Sequence, residues 1–128
     1  MRDLHFSLSN RTRGALPRIP FLAIKNAVLG ERYELSLALL PPRAMRRISR
    51  KHRGKDKASN VLSFRLSPAS GELLLCPSTA RREAPLFGAS YRSHLGRLFI
   101  HGLLHLKGFA HSATMESTER DVVKRFGL

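Results

Sequence analysis

The stretch His101-Gly-Leu-Leu-His105-Leu-Lys-Gly108-Phe-Ala-His111 constrains this chain more than any other. The residues before it, Tyr91 to Ile100, contain no proline and place apolar side chains at Leu95, Leu98 and Phe99. That stripe, continued through Gly102 and Leu106, predicts a helix over residues 89–107. Residues four apart on a helix stack on one face, so His101 and His105 point the same way, one turn apart. Imidazoles held so can fill two corners of a zinc tetrahedron. Gly108 ends the helix, because glycine accepts the left-handed backbone that a reversing chain needs. The reversal lets His111 swing round as a third ligand. Three protein ligands leave the fourth position to water, which separates a catalytic zinc from a structural one. The expectation is one zinc ion per chain on His101, His105 and His111, although nickel and copper also suit three imidazoles.

A lone histidine in an apolar helix is usually a satisfied core or surface residue, and a pair four apart is more often coincidence than a ligand set. Three, with a helix-breaking glycine between the second and third, are uncommon in a chain with only six histidines. The spacing matches the metzincin peptidase pattern H-E-x-x-H-x-x-G-x-x-H in all but one respect. The glutamate that serves peptidases as general base is Gly102 here. Glycine takes no proton, so the metal scaffold is present without the usual peptidase base, which argues against peptide hydrolysis.

The charge balance points to the partner. Among 128 residues, 23 Lys and Arg face 9 Asp and Glu, a net charge of +14. A solvated surface seldom needs so one-sided an excess. Such a field attracts polyanions and gains affinity by releasing their counterions, so nucleic acid is the expected ligand. The densest region is a helix expected over residues 43–52, with Met45 and Ile48 inward and Arg43, Arg46, Arg47, Arg50 and Lys51 on its other faces. A basic turn, Arg53-Gly-Lys55-Asp-Lys57, follows. Most charge runs are solvated faces. Arginines beside a metal site are also what a phosphodiester requires, since guanidinium pairs bidentately with phosphate. No aromatics interleave the run, so backbone contacts are expected rather than base stacking.

The length fits one domain, 1–128, with a core of its own. The single cysteine, Cys76, excludes an intramolecular disulfide and suits a reducing cytosol. It ends the apolar run Leu73–Cys76 and is expected to be buried and inert. No apolar run approaches the roughly 20 residues that span a bilayer. The Arg-rich beginning weakly resembles an organelle transit peptide. Against that, Leu4–Leu8 alternates like a strand of the fold, so the cytoplasm is the expected location.

In order, the pattern predicts a strand at Leu4–Leu8, a basic loop over 10–18, and a helix opened by Pro20 and closed by Gly30. A strand at Glu34–Leu39 stops at Pro41-Pro42, and the basic helix follows. Strands at Ser59–Phe64 and Glu72–Cys76, joined by turn chemistry at 67–71, form an antiparallel pair. Pro77 ends the second, and a short helix over 79–84 leads to a loop at 85–88. After the histidine helix comes a last helix over 113–126, capped by Ser112 or Thr114. Its Glu116 and Glu119 read as solvated charge, and no general base stands out.

Two blocks in the same order resemble the YbeY family of bacterial rRNA-maturation endoribonucleases. One is His101-Gly-x-Leu-His105-Leu-x-Gly108-Phe-x-His111; the other is Arg53-Gly-Lys-Asp-Lys-Ala-Ser-Asn60-Val-Leu-Ser-Phe64. A weaker match is Gly71-Glu72-Leu-Leu-Leu-Cys76. The chain departs from the family pattern at Ala110, where an acid commonly precedes the third histidine, and at Arg65, often a proline. The segment from Cys76 to His101 is also shorter than usual. The Ala110 departure implies that an acid orienting a ligand is missing.

The resemblance implies a single α/β domain (α+β-like): a small mixed sheet of about four strands packed with helices, zincin-like, with the metal site on a central helix. It implies a zinc-dependent, single-strand-specific endoribonuclease acting in small-subunit rRNA 3′-end processing and ribosome quality control. Its partners would be rRNA and the ribosome or its small subunit. Arg53 would stabilise charge on the transition state, or else form a structural ion pair with Asp56 or Glu72. Arg46, Arg47, Arg50, Lys51, Lys55 and Lys57 would line the path of the RNA backbone. The residues leave open a non-catalytic zinc protein that binds rRNA as an assembly factor and, more remotely, a metallopeptidase-like hydrolase.

Overall fold

The computed structural model describes residues 3–53 and 60–128, with Arg53 contributing its backbone alone. Four strands, β1 (Phe6–Asn10), β2 (Glu34–Leu39), β3 (Val61–Ser67) and β4 (Ser70–Leu75), form one sheet in the order β1-β2-β4-β3. β1, β2 and β4 are parallel, and β3 runs antiparallel to β4. The mixed sheet and the β3/β4 hairpin are as expected. β1 lies two residues later than its alternation predicts. The parallel register Phe6↔Leu35 to Asn10↔Leu39 sets its limits, and Leu4 is left 94% exposed.

Alternation along the central strands divides the core in two. Leu35, Leu37 and Leu39 of β2 and Leu73 and Leu75 of β4 face one side. There they pack with Ile24 and Val28 of α1 (Phe21–Leu29), with α4 (Tyr91–Lys107) and with Met115 of α5 (Ala113–Arg125). Ala38, Leu74 and Cys76 face the other side, where Met45 of α2 (Pro42–Arg53) is buried and Ile48 half-buried. The sheet is thus sandwiched between α2 and a layer of α1, α4 and α5. Cys76 is buried as expected, and accepts a hydrogen bond at Sγ from Thr79 Oγ1, 3.2 Å away.

Pro77 does more than end β4. It opens α3 (Pro77–Glu83), where its missing N–H is not needed. The expected loop at 85–88 contains a single 3₁₀ turn, Ala84–Phe87, closed by Gly88 in the left-handed region. α4 is the hub of its layer and touches α1, α3, α5, β3 and β4. Ser90 caps its start by accepting the Ser93 N–H. Among the described residues no helix is long and apolar enough to cross a membrane.

Candidate metal centre

Gly102 sets how closely α4 can lie on the sheet. A Cβ there would come 2.7 Å from Leu73 Cδ1 and 3.1 Å from Ser63 Oγ. Its carbonyl accepts the Ser63 hydroxyl at 3.1 Å. Position 102 therefore faces the strands, where a glutamate side chain would have no room. With that face pressed to β3 and β4, His101 and His105 are presented together on the adjoining flank of the helix, both half-buried.

The end of α4 fixes the second histidine. Gly108 takes φ 110°, and its N–H donates to the His105 carbonyl while the Phe109 N–H donates to the Leu104 carbonyl. This is the Schellman pattern of helix termination. It turns the Phe109 carbonyl back onto His105 Nδ1, at 3.2 Å. A carbonyl only accepts, so Nδ1 carries the proton and the Nε2 lone pair points outward.

His101 is fixed by a different element. Ser112 caps α5 by accepting the Met115 N–H, and Met115 is buried. Glu119, one turn on from Met115, faces α4 and places Oε1 2.7 Å from His101 Nδ1. Its side chain is 17% exposed, so the expectation that Glu119 is solvated charge is corrected. The carboxylate accepts only, which again puts the proton on Nδ1 and frees Nε2. Glu119 takes the orienting role that Ala110 cannot fill, from another element. Glu116, at the rim of the cleft between α4 and α5, is exposed as expected.

Nε2 of His101 and Nε2 of His105 lie 3.1 Å apart. Two lone pairs at that distance repel unless a cation lies between them. His111, exposed after the turn, brings its ring centroid to 5.3 Å from that of His101 and 4.6 Å from that of His105. One ligand nitrogen from each of the three fits within a 4.8 Å spread. Zinc–nitrogen bonds of about 2.0–2.1 Å place tetrahedral ligands roughly 3.4 Å apart. The donor set and the locked tautomers therefore fit a divalent ion with three imidazole ligands.

Sequence reasoning also missed a polar network beside the histidines. His94 is 1% exposed; its Nε2 lies 3.1 Å from Glu83 Oε1, and Arg97 donates to its Nδ1 at 3.1 Å. Asn60 Nδ2 donates to the same glutamate at 3.0 Å. Asn60, Val61, Arg97, Leu98, His101 and Glu119 line a cavity of about 240 Å³ against the metal centre. Glu119 had a detectable signal. It occupies the inward stripe Met115, Glu119, Val122, Phe126, where a solvated acid does not belong.

The basic residues fall elsewhere. Arg46, Arg47, Arg50 and Lys51 are exposed on α2, across the sheet from α4. The C-terminal turn of α2 reaches β3, where His52 packs edge-on against Phe64 at 5.1 Å. The side chain of Arg53, and Lys55, Asp56 and Lys57, lie outside the described residues.

A family model described as endoribonuclease YbeY matches residues 9–127. The chain is 38% identical over 99 residues to an endoribonuclease YbeY of Bdellovibrio bacteriovorus, an alignment covering 76% of this chain and 63% of that protein. It is 41% identical over 102 residues to an endoribonuclease YbeY of Wolinella succinogenes, covering 74% and 73% respectively. Against the Bdellovibrio protein, the matched stretch thus spans a little under two thirds of the relative's length. A solution structure from Thermotoga maritima superposes with a TM-score of 0.67 over 94% of this chain and 88% of that one. At 20% identity it bears on the fold alone.

Proposed function

The chain belongs to the YbeY family, and from that membership we propose that it is a metal-dependent endoribonuclease acting on single-stranded RNA in rRNA maturation. The observation that carries the metal site is the convergence of His101 and His105 with both Nδ1 atoms held as donors and His111 closing the set. Zinc is the ion this donor set suits best; when bound it supplies Lewis-acid polarisation of a phosphoryl oxygen and lowers the pKa of water. Glu119 and the Phe109 carbonyl keep the two helical imidazoles in the ligating tautomer. Arg53 supplies a guanidinium to the charge that develops on the phosphoryl oxygens. What supports this is the resemblance of the block Arg53–Phe64 to the family's; of that block, Asn60 and Val61 line the cavity beside His101.

Arg46, Arg47, Arg50 and Lys51, with Lys55 and Lys57, attract the RNA backbone as part of the +14 field and guide it toward the β3 edge. Small-subunit rRNA 3′-end processing, ribosome quality control, the small ribosomal subunit as partner and the cytoplasm as location follow from the family resemblance. We read residues 1–128 as one such domain.

The test is a zinc titration of metal-stripped protein beside His105→Ala, then cleavage of single-stranded and duplex RNA. One tight site lost in the variant, with zinc-dependent cleavage of the single strand, is the expected result. Zinc and salt-sensitive RNA binding without cleavage would replace the enzyme by an assembly factor. No tight site in the wild type would overturn the metal centre.

A further inference from the structure

Against the first half of α4 stands an exposed aromatic residue that the metal centre does not use. The 3₁₀ turn Ala84–Phe87 directs Leu86 and Phe87 outward, 82% and 60% exposed. The Phe87 ring lies nearly flat on buried His94, with centroids 5.0 Å apart and 19° between planes. The guanidinium carbon of Arg97 sits 5.0 Å from the same ring centre. Both contacts come from α4, and at 60% exposure much of the ring still faces water.

Arg97 is held without being neutralised. It donates to His94 Nδ1, and the acceptor of His94 Nε2, Glu83, also accepts from Asn60. That leaves most of the five guanidinium N–H groups unspent. Among the described residues no carboxylate pairs with Arg97. This half-buried cation lies one helical turn before His101, about 6 Å along the axis. It lines the 240 Å³ cavity at the metal centre and also a cleft of about 680 Å³ between α4 and α5. Arg120 and Lys124 line that same cleft, together with Glu116 and Glu119. A half-buried guanidinium beside a candidate cation site, bonded to His94 and in direct ion pair with no carboxylate among the described residues, keeps N–H groups for an incoming anion.

We propose that Phe87 and Arg97 form a nucleotide subsite flanking the metal centre. A base next to the scissile bond stacks on the outer face of Phe87, and Arg97 takes the neighbouring phosphate. The inference rests on the endoribonuclease reading and gives it a reason for single-strand preference: a base reaches Phe87 only when it is out of a duplex. Stacking on a phenyl ring tolerates any base, so the subsite selects strandedness rather than sequence. It also revises the expectation from the basic run that bases are not stacked, since the aromatic partner lies far along the chain from that run.

The test measures anisotropy of a short fluorescein-labelled single-stranded RNA on metal-stripped protein, so that binding is read without cleavage. Phe87→Ala is expected to weaken binding about five- to hundredfold, and Phe87→Tyr to retain it. Arg97→Gln lowers affinity and reduces the salt slope by about one. Abasic substitutions scanned along the RNA should include a position at which wild type and Phe87→Ala bind equally, which a merely structural role for Phe87 would not produce. Zinc titration of Phe87→Ala should match wild type. If wild type cleaves RNA and both variants bind as it does, the subsite is overturned and the endoribonuclease reading stands. If wild type binds without cleaving, and Phe87→Ala loses the base-dependent part, the subsite holds and the enzymatic reading falls. If zinc-loaded wild type neither binds nor cleaves, both fall.

Discussion

The helical pair, His101 and His105, and the loop ligand, His111, are built differently. The pair is carried by a helix packed on three helices and two strands, and each ring is held at Nδ1 by a partner outside its own turn. His111 is exposed, and among the described residues no hydrogen bond holds its ring. Two candidate ligands are thus pre-organised by the fold, and the third stands on an exposed turn within reach of them. Pre-organisation lowers the ordering cost of binding. The pair should therefore set whether a metal binds, and the loop how tightly it is kept.

The largest break in this contrast is expected at the packing that presents the pair. Gly102→Glu would restore the peptidase pattern in sequence but drive a side chain into Leu73 and Ser63. Overpacking with a buried charge costs several kcal/mol, and the melting temperature should fall by about 10 °C or more. An unchanged thermal melt would mean that α4 does not depend on a glycine there.

Next in size is the ligand itself. His105→Ala should abolish the rise in melting temperature that saturating zinc gives the wild type, because an ion bound to the native state stabilises by mass action. His111→Ala should retain a reduced part of that rise. Equal losses in calorimetry would erase the distinction between the helical and loop ligands.

Glu119→Gln sharpens the comparison. The amide still offers an oxygen to His101 Nδ1 but removes the charge, and zinc affinity should drop about 10- to 100-fold with little change in the metal-free melt. Affinity equal to wild type in a competitive chelator titration would return Glu119 to a packing role. The smallest effect is expected at the hinge between the two kinds of ligand. Gly108→Ala must adopt φ 110° with a Cβ, at roughly 1–2 kcal/mol, and should lower the melt by a few degrees. Zinc affinity should fall modestly, since His111 then returns less readily; a variant as stable as wild type would show that the turn tolerates another geometry.

The histidine triad was readable because it is local: eleven residues contain the helix face, the breaker and the returning ligand. The β3/β4 hairpin and the inward Met45 were readable for the same reason, through alternation and helical spacing. β1 was misplaced because its limits belong to its parallel partner. Glu119 was misread because its charge suggested solvent, while the stripe from Met115 carries it against α4. Phe87 and Arg97 gave no sign in sequence, since their meaning depends on a turn and a helix meeting around His94.

Sequence by itself thus determined the candidate ligand types, their spacing, a glycine where the peptidase pattern has glutamate, and the excess of positive charge. These are properties of composition and of short-range periodicity, which survive without knowledge of partners. Tertiary structure alone decided which groups orient the imidazoles and which cation stands beside them. It also decided that Gly102 faces the sheet and that the arginine-rich helix lies across it from the metal centre. Those relations depend on how helices pack on a twisted sheet, which brings together residues that no local pattern connects.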